Sequence, residues 1–89
     1  MHHRKFRMIR REDETGTSGI GLVVEGVEFS DGHVVIRWLT SPCSTAVYED
    51  MKTFLAIHVH SHPGNKTEIE WEDGQVWSLE DEPFPDFDT

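Results

Sequence analysis

The chain has 89 residues, of which 36% are hydrophobic and 28% charged, with one cysteine and a formal net charge of −9. At this length roughly 60% of the unfolded chain's surface can be buried, which allows one small domain and excludes a second core or a catalytic centre built from several long loops. No apolar run approaches the ~20 residues that span a bilayer, and Met1-His2-His3-Arg4-Lys5 leads into no apolar signal region, so an intracellular protein without membrane association is expected.

Residues 6–10 read as a short strand and residues 12–19 as a polar, Gly-rich loop. Two β-rich runs, 22–29 and 34–39, flank Asp31-Gly32, a strong signal for a two-residue type I′ hairpin turn. That turn would pair Phe29 with Val34, Val27 with Ile36 and Glu25 with Trp38, and would lay Arg37 over the open backbone of Gly26. Ser41-Pro42-Cys43-Ser44 is a turn, followed by a brief strand at 45–48 and a single helical turn at 49–53. Residues 54–61 alternate, with Leu55, Ile57 and Val59 on one face and Ala56, His58 and His60 on the other, continued by His62. Residues 66–72 alternate too, with Thr67, Ile69 and Trp71 opposed to Lys66, Glu68, Glu70 and Glu72.

Joined through Pro63-Gly64-Asn65, these two runs would set Val59 against Ile69 and Ile57 against Trp71 in the core. His60 would then face Glu68, and His58 would face Glu70, on the outside. An internal echo links Val27-Glu28-Phe29-Ser30-Asp31-Gly32-His33-Val34 to Ile69-Glu70-Trp71-Glu72-Asp73-Gly74-Gln75-Val76, a hairpin recipe used twice. Residues 78–89 are acidic and carry Pro83, Phe84, Pro85 and Phe87, the composition of a flexible tail. The expected fold is mainly β: a small antiparallel β-barrel or β-roll of about five to seven strands with at most one short helical turn, over residues 1–77.

The charge is unevenly placed. Arg4, Lys5, Arg7, Arg10 and Arg11 are five of the eight basic residues, leaving three against all 17 acidic ones in residues 12–89. A basic first strand or arm, residues 4–11, thus precedes an anionic body that is a poor match for nucleic acid, whose affinity rests on phosphate contacts. The simplest role for the arm is to pair with the protein's own acidic surface. Cys43 has no second cysteine to bridge to and no cationic neighbour in sequence to activate it, so it reads as a structural or surface thiol.

His58, His60 and His62 carry metal-ligand spacing. On a strand they would share a face, and with Glu68 or Glu70 from the facing strand they would suit zinc or nickel, with an open position able to activate water. Strand residues two apart sit roughly 6–7 Å from each other, so convergence needs a twist or bulge, and the competing reading is a solvated face of pH-sensitive His–Glu contacts. His60-Ser61-His62-Pro63 with Asp73 resembles the His-x-His-Pro and distal Asp of JAMM-type zinc proteases, but Glu70 stands where that motif has serine and Asp73 falls in a turn. The loop Gly16-Thr17-Ser18-Gly19-Ile20-Gly21 lacks a Walker lysine, although its backbone could complete an anion pocket with Arg37 or with Ser44 and Thr45. Trp38 and Trp71 fall on core faces, whereas Trp77, Phe84 and Phe87 are candidate partner-contacting aromatics.

Gly19-x-Gly21, Gly26-Val27-Glu28-Phe29-Ser30-Asp31-Gly32, Arg37-Trp38, Ser44-Thr45, Tyr48 and Ile57-His58-x-His60 together resemble a group of small proteins of actinobacteria and their phages that carries no assigned activity. The resemblance implies a phage-borne accessory protein in the cytoplasm of a bacterial host. His62, Pro63 and the acidic tail depart from the group's pattern, so a His-triad function would not be shared across it. The function expected is a small acidic, non-catalytic binding module that occupies a protein surface or sequesters a small ligand through Arg37, Ser44, Thr45, Trp77, Phe84 and Phe87. The alternative is a metal-dependent hydrolase or metal-binding protein using the His58, His60 and His62 face with Glu68 and Glu70. Limited core size makes a homodimer the expected assembly.

Overall fold

The computed structural model describes residues 3–13 and 20–78. They form one antiparallel sheet of six strands in the order β4-β3-β2-β1-β5-β6, with β1 at Arg4–Arg10, β2 at Gly21–Glu28, β3 at Val34–Trp38, β4 at Ser44–Tyr48, β5 at Thr67–Trp71 and β6 at Val76–Ser78. The mainly β class is as expected, but the sheet does not close into a barrel: β4 and β6 are its two edges.

The reason lies in residues 51–60, which are helical. Helix α1 (Met51–Leu55) runs into a π-helical turn (Ala56–His60), and a 3-10 turn (Pro63–Asn65) leads into β5. Met51, Phe54, Leu55 and Val59 are fully buried and His58 half-buried, a helical stripe that shares Leu55 and Val59 with the alternating reading of the same residues. Over residues 54–60 the helix buries Phe54, Leu55 and Val59 where the strand would have buried Leu55, Ile57 and Val59, and it adds Met51 from the preceding turn. Asp50 caps it by accepting a hydrogen bond from Thr53 N–H at 2.7 Å. Ile57, assigned to the core by alternation, is instead 49% exposed.

With 54–61 removed from the sheet, β5 pairs with β1, matching Phe6 with Trp71, Met8 with Ile69 and Arg10 with Thr67. The expected face of β5 is nevertheless the buried one. The basic arm is therefore an inner strand. Its outward side chains meet acid across the sheet, with Arg7 2.7 Å from Glu70 and Arg11 2.7 Å from Glu68, while Arg4 reaches Asp73 at 3.6 Å.

The two echoed hairpins adopt the same turn. Gly32 N–H donates to Phe29 C=O at 2.9 Å, Phe29 N–H to His33 C=O at 2.8 Å, and His33 N–H to the Asp31 carboxylate at 3.0 Å. In the second hairpin Gly74 donates to Trp71, Trp71 to Gln75, and Gln75 to the Asp73 carboxylate, at 3.0, 2.8 and 3.0 Å. Gly32 and Gly74 have φ of 96° and 92°, which marks a type I turn closed by a left-handed glycine rather than the expected two-residue type I′ turn. The longer loop shifts the register by one residue, so Glu28 pairs with Val34, Gly26 with Ile36, Glu25 with Arg37 and Val24 with Trp38.

That shift moves Arg37 off Gly26, and the β1–β2 register sets Phe6 opposite it. Arg37 does not lie over it; Phe6 fills the space, and a Cβ built on Gly26 would sit 2.4 Å from Phe6 Cζ. The core is one cluster between the sheet and the helical layer, with Phe6, Met8, Val24, Val34, Ile36, Ile69, Trp71 and Trp77 from the sheet. A register break between Met8 and Ile9 leaves Val23 as the extra residue of β2, which is how two successive valines, Val23 and Val24, are both buried. No helix among the described residues is long and apolar enough to cross a membrane.

Candidate functional site: the open face of the sheet

The helical layer covers one face of the sheet, and the other face carries no second layer among the described residues. Strand alternation sends Lys5 and Arg7 of β1, Glu25 and Val27 of β2, Val35 and Arg37 of β3, Thr45 and Val47 of β4 and Glu68 and Glu70 of β5 to this open face. The registers then assemble them into rows. One row runs Thr45, Arg37, Glu25, Arg7, Glu70, with each residue directly opposite the next, so charges alternate in sign across four strands. The adjacent row is Val47, Val35, Val27, Lys5.

Between them lies an open trough of about 650 Å³, floored by main chain at Gly26 and Ile36 and walled by Arg7, Glu25, Arg37 and Glu70. This volume falls within the roughly 300–1,000 Å³ of small-molecule sites. Its two arginines differ. Arg7 is committed to Glu70 at 2.7 Å, whereas Arg37 donates to the Thr45 hydroxyl at 3.1 Å and has no carboxylate at ion-pair distance among the described residues. An arginine anchored by one neutral hydrogen bond keeps most of its donors for something else.

The site residues expected from sequence separate into three groups. Arg37 and Thr45 come together in the trough, as neighbours in register. Ser44 pairs with Trp38 and, by alternation, belongs to the opposite side of β4 from Thr45. Trp77, expected as an exposed contact residue, is 4% exposed: it pairs with Ile69 and stacks beneath His60, ring centroids 6.3 Å apart. Phe84, Phe87 and the rest of the acidic tail beyond Ser78 lie outside the described residues, as does loop 14–19.

The His–Glu ladder does not form. His58 and His60 belong to the helical layer, whereas Glu68 and Glu70 point to the open face, where Arg11 and Arg7 take them. The sheet itself therefore stands between the imidazoles and the carboxylates. Among the described residues no group of three or more His, Cys, Asp or Glu side chains is placed to hold a metal ion. His58 turns inward instead, its Nε2 2.7 Å from the Tyr48 hydroxyl and its ring against those of Trp38 and Phe54. Burial, then Arg10, then His62 hold its pKa below the ordinary histidine value.

Sequence reasoning missed Lys5, Arg7 and Glu25 as trough residues. The signal was available in their positions on alternating strands, but it could be used only once β1 was known to lie between β2 and β5.

The model of the Acb5 phage protein family matches residues 3–73, and the chain belongs to that family. No curated protein and no solved structure matches it.

Proposed function

We propose that this member of the Acb5 phage protein family is a non-catalytic accessory module of the host cytoplasm that sequesters a small ligand in the trough on the open sheet face. The observation that carries this reading is the coincidence, in one cavity of about 650 Å³, of an uncommitted guanidinium, Arg37, with an aliphatic strip, Val27 and Val35. Such a lining suits a compact molecule with an apolar body and an acidic group, which the valines would desolvate while Arg37 and Lys5 meet the charge. Glu25 adds an acceptor for a donor on the same ligand. The lining pairs arginines with carboxylates and valines and offers no activated nucleophile beside a base, the arrangement that covalent catalysis requires.

Native mass spectrometry of the full chain, incubated with a metabolite extract from phage-infected bacteria, tests the reading. A small-molecule mass increment on the native chain that disappears in Arg37→Ala supports it. A chain that emerges bare, or an increment indifferent to Arg37, overturns it, and capture of a host protein in the same cells would replace it with occupation of a protein surface.

A further inference from the structure

Arg10 is the last residue of β1 and, following Phe6 and Met8, it points into the core side of the sheet. It is only 4% exposed. Its Nε and Nη1 are buried without a hydrogen-bond partner among the described residues, and so is the hydroxyl of Thr67, the residue directly opposite it on β5 and itself 1% exposed. Three hydrogen-bonding atoms with no partner among the described residues thus occur on one cross-strand pair, whose Cβ atoms stand about 5 Å apart. A buried, under-bonded guanidinium is costly, and native proteins keep one where a ligand or water completes its bonds.

The surroundings select the ligand's charge. Among the described residues Asp13 is the carboxylate within Coulombic reach of Arg10, and it leaves Nε and Nη1 unpartnered. Among the described residues, the other titratable groups nearby are His58, whose pKa burial holds below the ordinary histidine value and whose Nε2 lies on the Tyr48 hydroxyl, and His62, within Coulombic reach of His58. Trp38 places its ring 5.5 Å from the guanidinium carbon and so forms an apolar wall. Among the described residues the set therefore offers donors, a hydroxyl and imidazoles, and a single carboxylate, Asp13. From this we infer that Arg10 and Thr67 form a second binding site, specific for a tetrahedral oxyanion of the phosphate class, on the opposite side of the sheet from the trough. Arg10 would meet two of the anion's oxygens and the Thr67 hydroxyl a third. This site rests on orphaned buried donors and is independent of the trough reading.

The probe is inorganic phosphate, titrated into the full chain at constant ionic strength with chloride as control and followed by thermal unfolding and amide NMR shifts. Saturable stabilisation, with shifts centred on residues 10, 58 and 67, is expected. Arg10→Met, which keeps the volume and removes the donors, should abolish the response. Thr67→Val, nearly isosteric and so expected to fold, should weaken phosphate about tenfold. Arg37→Ala should leave it unchanged. Titration with a phosphomonoester in parallel distinguishes a free ion from the terminal group of a larger ligand. The inference is overturned if chloride reproduces the effect, if Arg10→Met still responds, or if Arg37→Ala removes the response, since the anion would then sit in the trough.

Discussion

Replacing Gly26 with alanine tests the register of the central strands more directly than any other single change. The added methyl carbon would lie 2.4 Å from Phe6 Cζ and 2.8 and 2.9 Å from its two Cε atoms. Carbon atoms settle at about 3.5–4.0 Å, so ring and strand must separate by about 1 Å. Phe6 has little freedom to yield, since it is 2% exposed and its centroid lies 5.3 Å from that of Trp71 and 5.9 Å from that of Phe54. Overpacking of this kind costs about 1–3 kcal/mol, and the lost flexibility of glycine in the unfolded chain returns about 0.4–1 kcal/mol. The net loss of about 1–2 kcal/mol should lower Tm by about 5–15 °C in a domain of this size. Urea unfolding followed by tryptophan fluorescence measures it. In a Phe6→Leu background the same alanine should cost less, with a coupling of at least about 0.5 kcal/mol. A Gly26→Ala protein as stable as the parent, or an identical loss in both backgrounds, would refute the packing argument and with it the Phe6–Gly26 register.

Other consequences follow from particular contacts. Asp50→Ala removes the cap on α1 and should cost about 1 kcal/mol in the same unfolding assay. The Thr53 side-chain and backbone bonds lower the Asp50 pKa, so its contribution should be complete above the unfolded carboxylate value and fade as pH falls through the lower folded value. His58 has the opposite chemistry with a similar outcome. Because its folded pKa lies below the ordinary 6.5, stability should be full above that value and decline as pH falls toward the folded pKa; His58→Phe should flatten the slope in a pH series of melts. The Arg7–Glu70 pair, with Arg7 56% exposed, should show a double-mutant coupling of only about 0.2–1 kcal/mol that shrinks with added salt. In phosphate-free buffer Arg10→Met should leave stability unchanged or raise it by about 1–4 kcal/mol, because it replaces an under-bonded buried charge with apolar volume. A clear loss of stability would show that Arg10 is satisfied within the protein.

The local readings that survived are those with short-range physical causes. Asp-Gly turn chemistry located both hairpins, and the repeated recipe was realised as the same turn twice, because an Asp side chain and a left-handed glycine act within five residues of chain. Alternation identified the buried face of β5 at Thr67, Ile69 and Trp71, and the acidic excess foretold that the basic first strand would pair internally. What failed needed partners distant in sequence. Residues 54–61 satisfy a period of two and a period of 3.6 through the same Leu55 and Val59, and only the exposed sheet face awaiting cover selects the helix. That choice moved His58 and His60 away from Glu68 and Glu70, and freed β5 to pair with β1. The trough and the Arg10–Thr67 pair exist only through that second pairing. Sequence alone thus determined the class of structure, where its hairpin turns fall and its charge balance, all set by neighbours along the chain. Strand order and register, which decide which charges share a face, came from tertiary packing, because a one-residue difference in loop length inverts every side chain that follows.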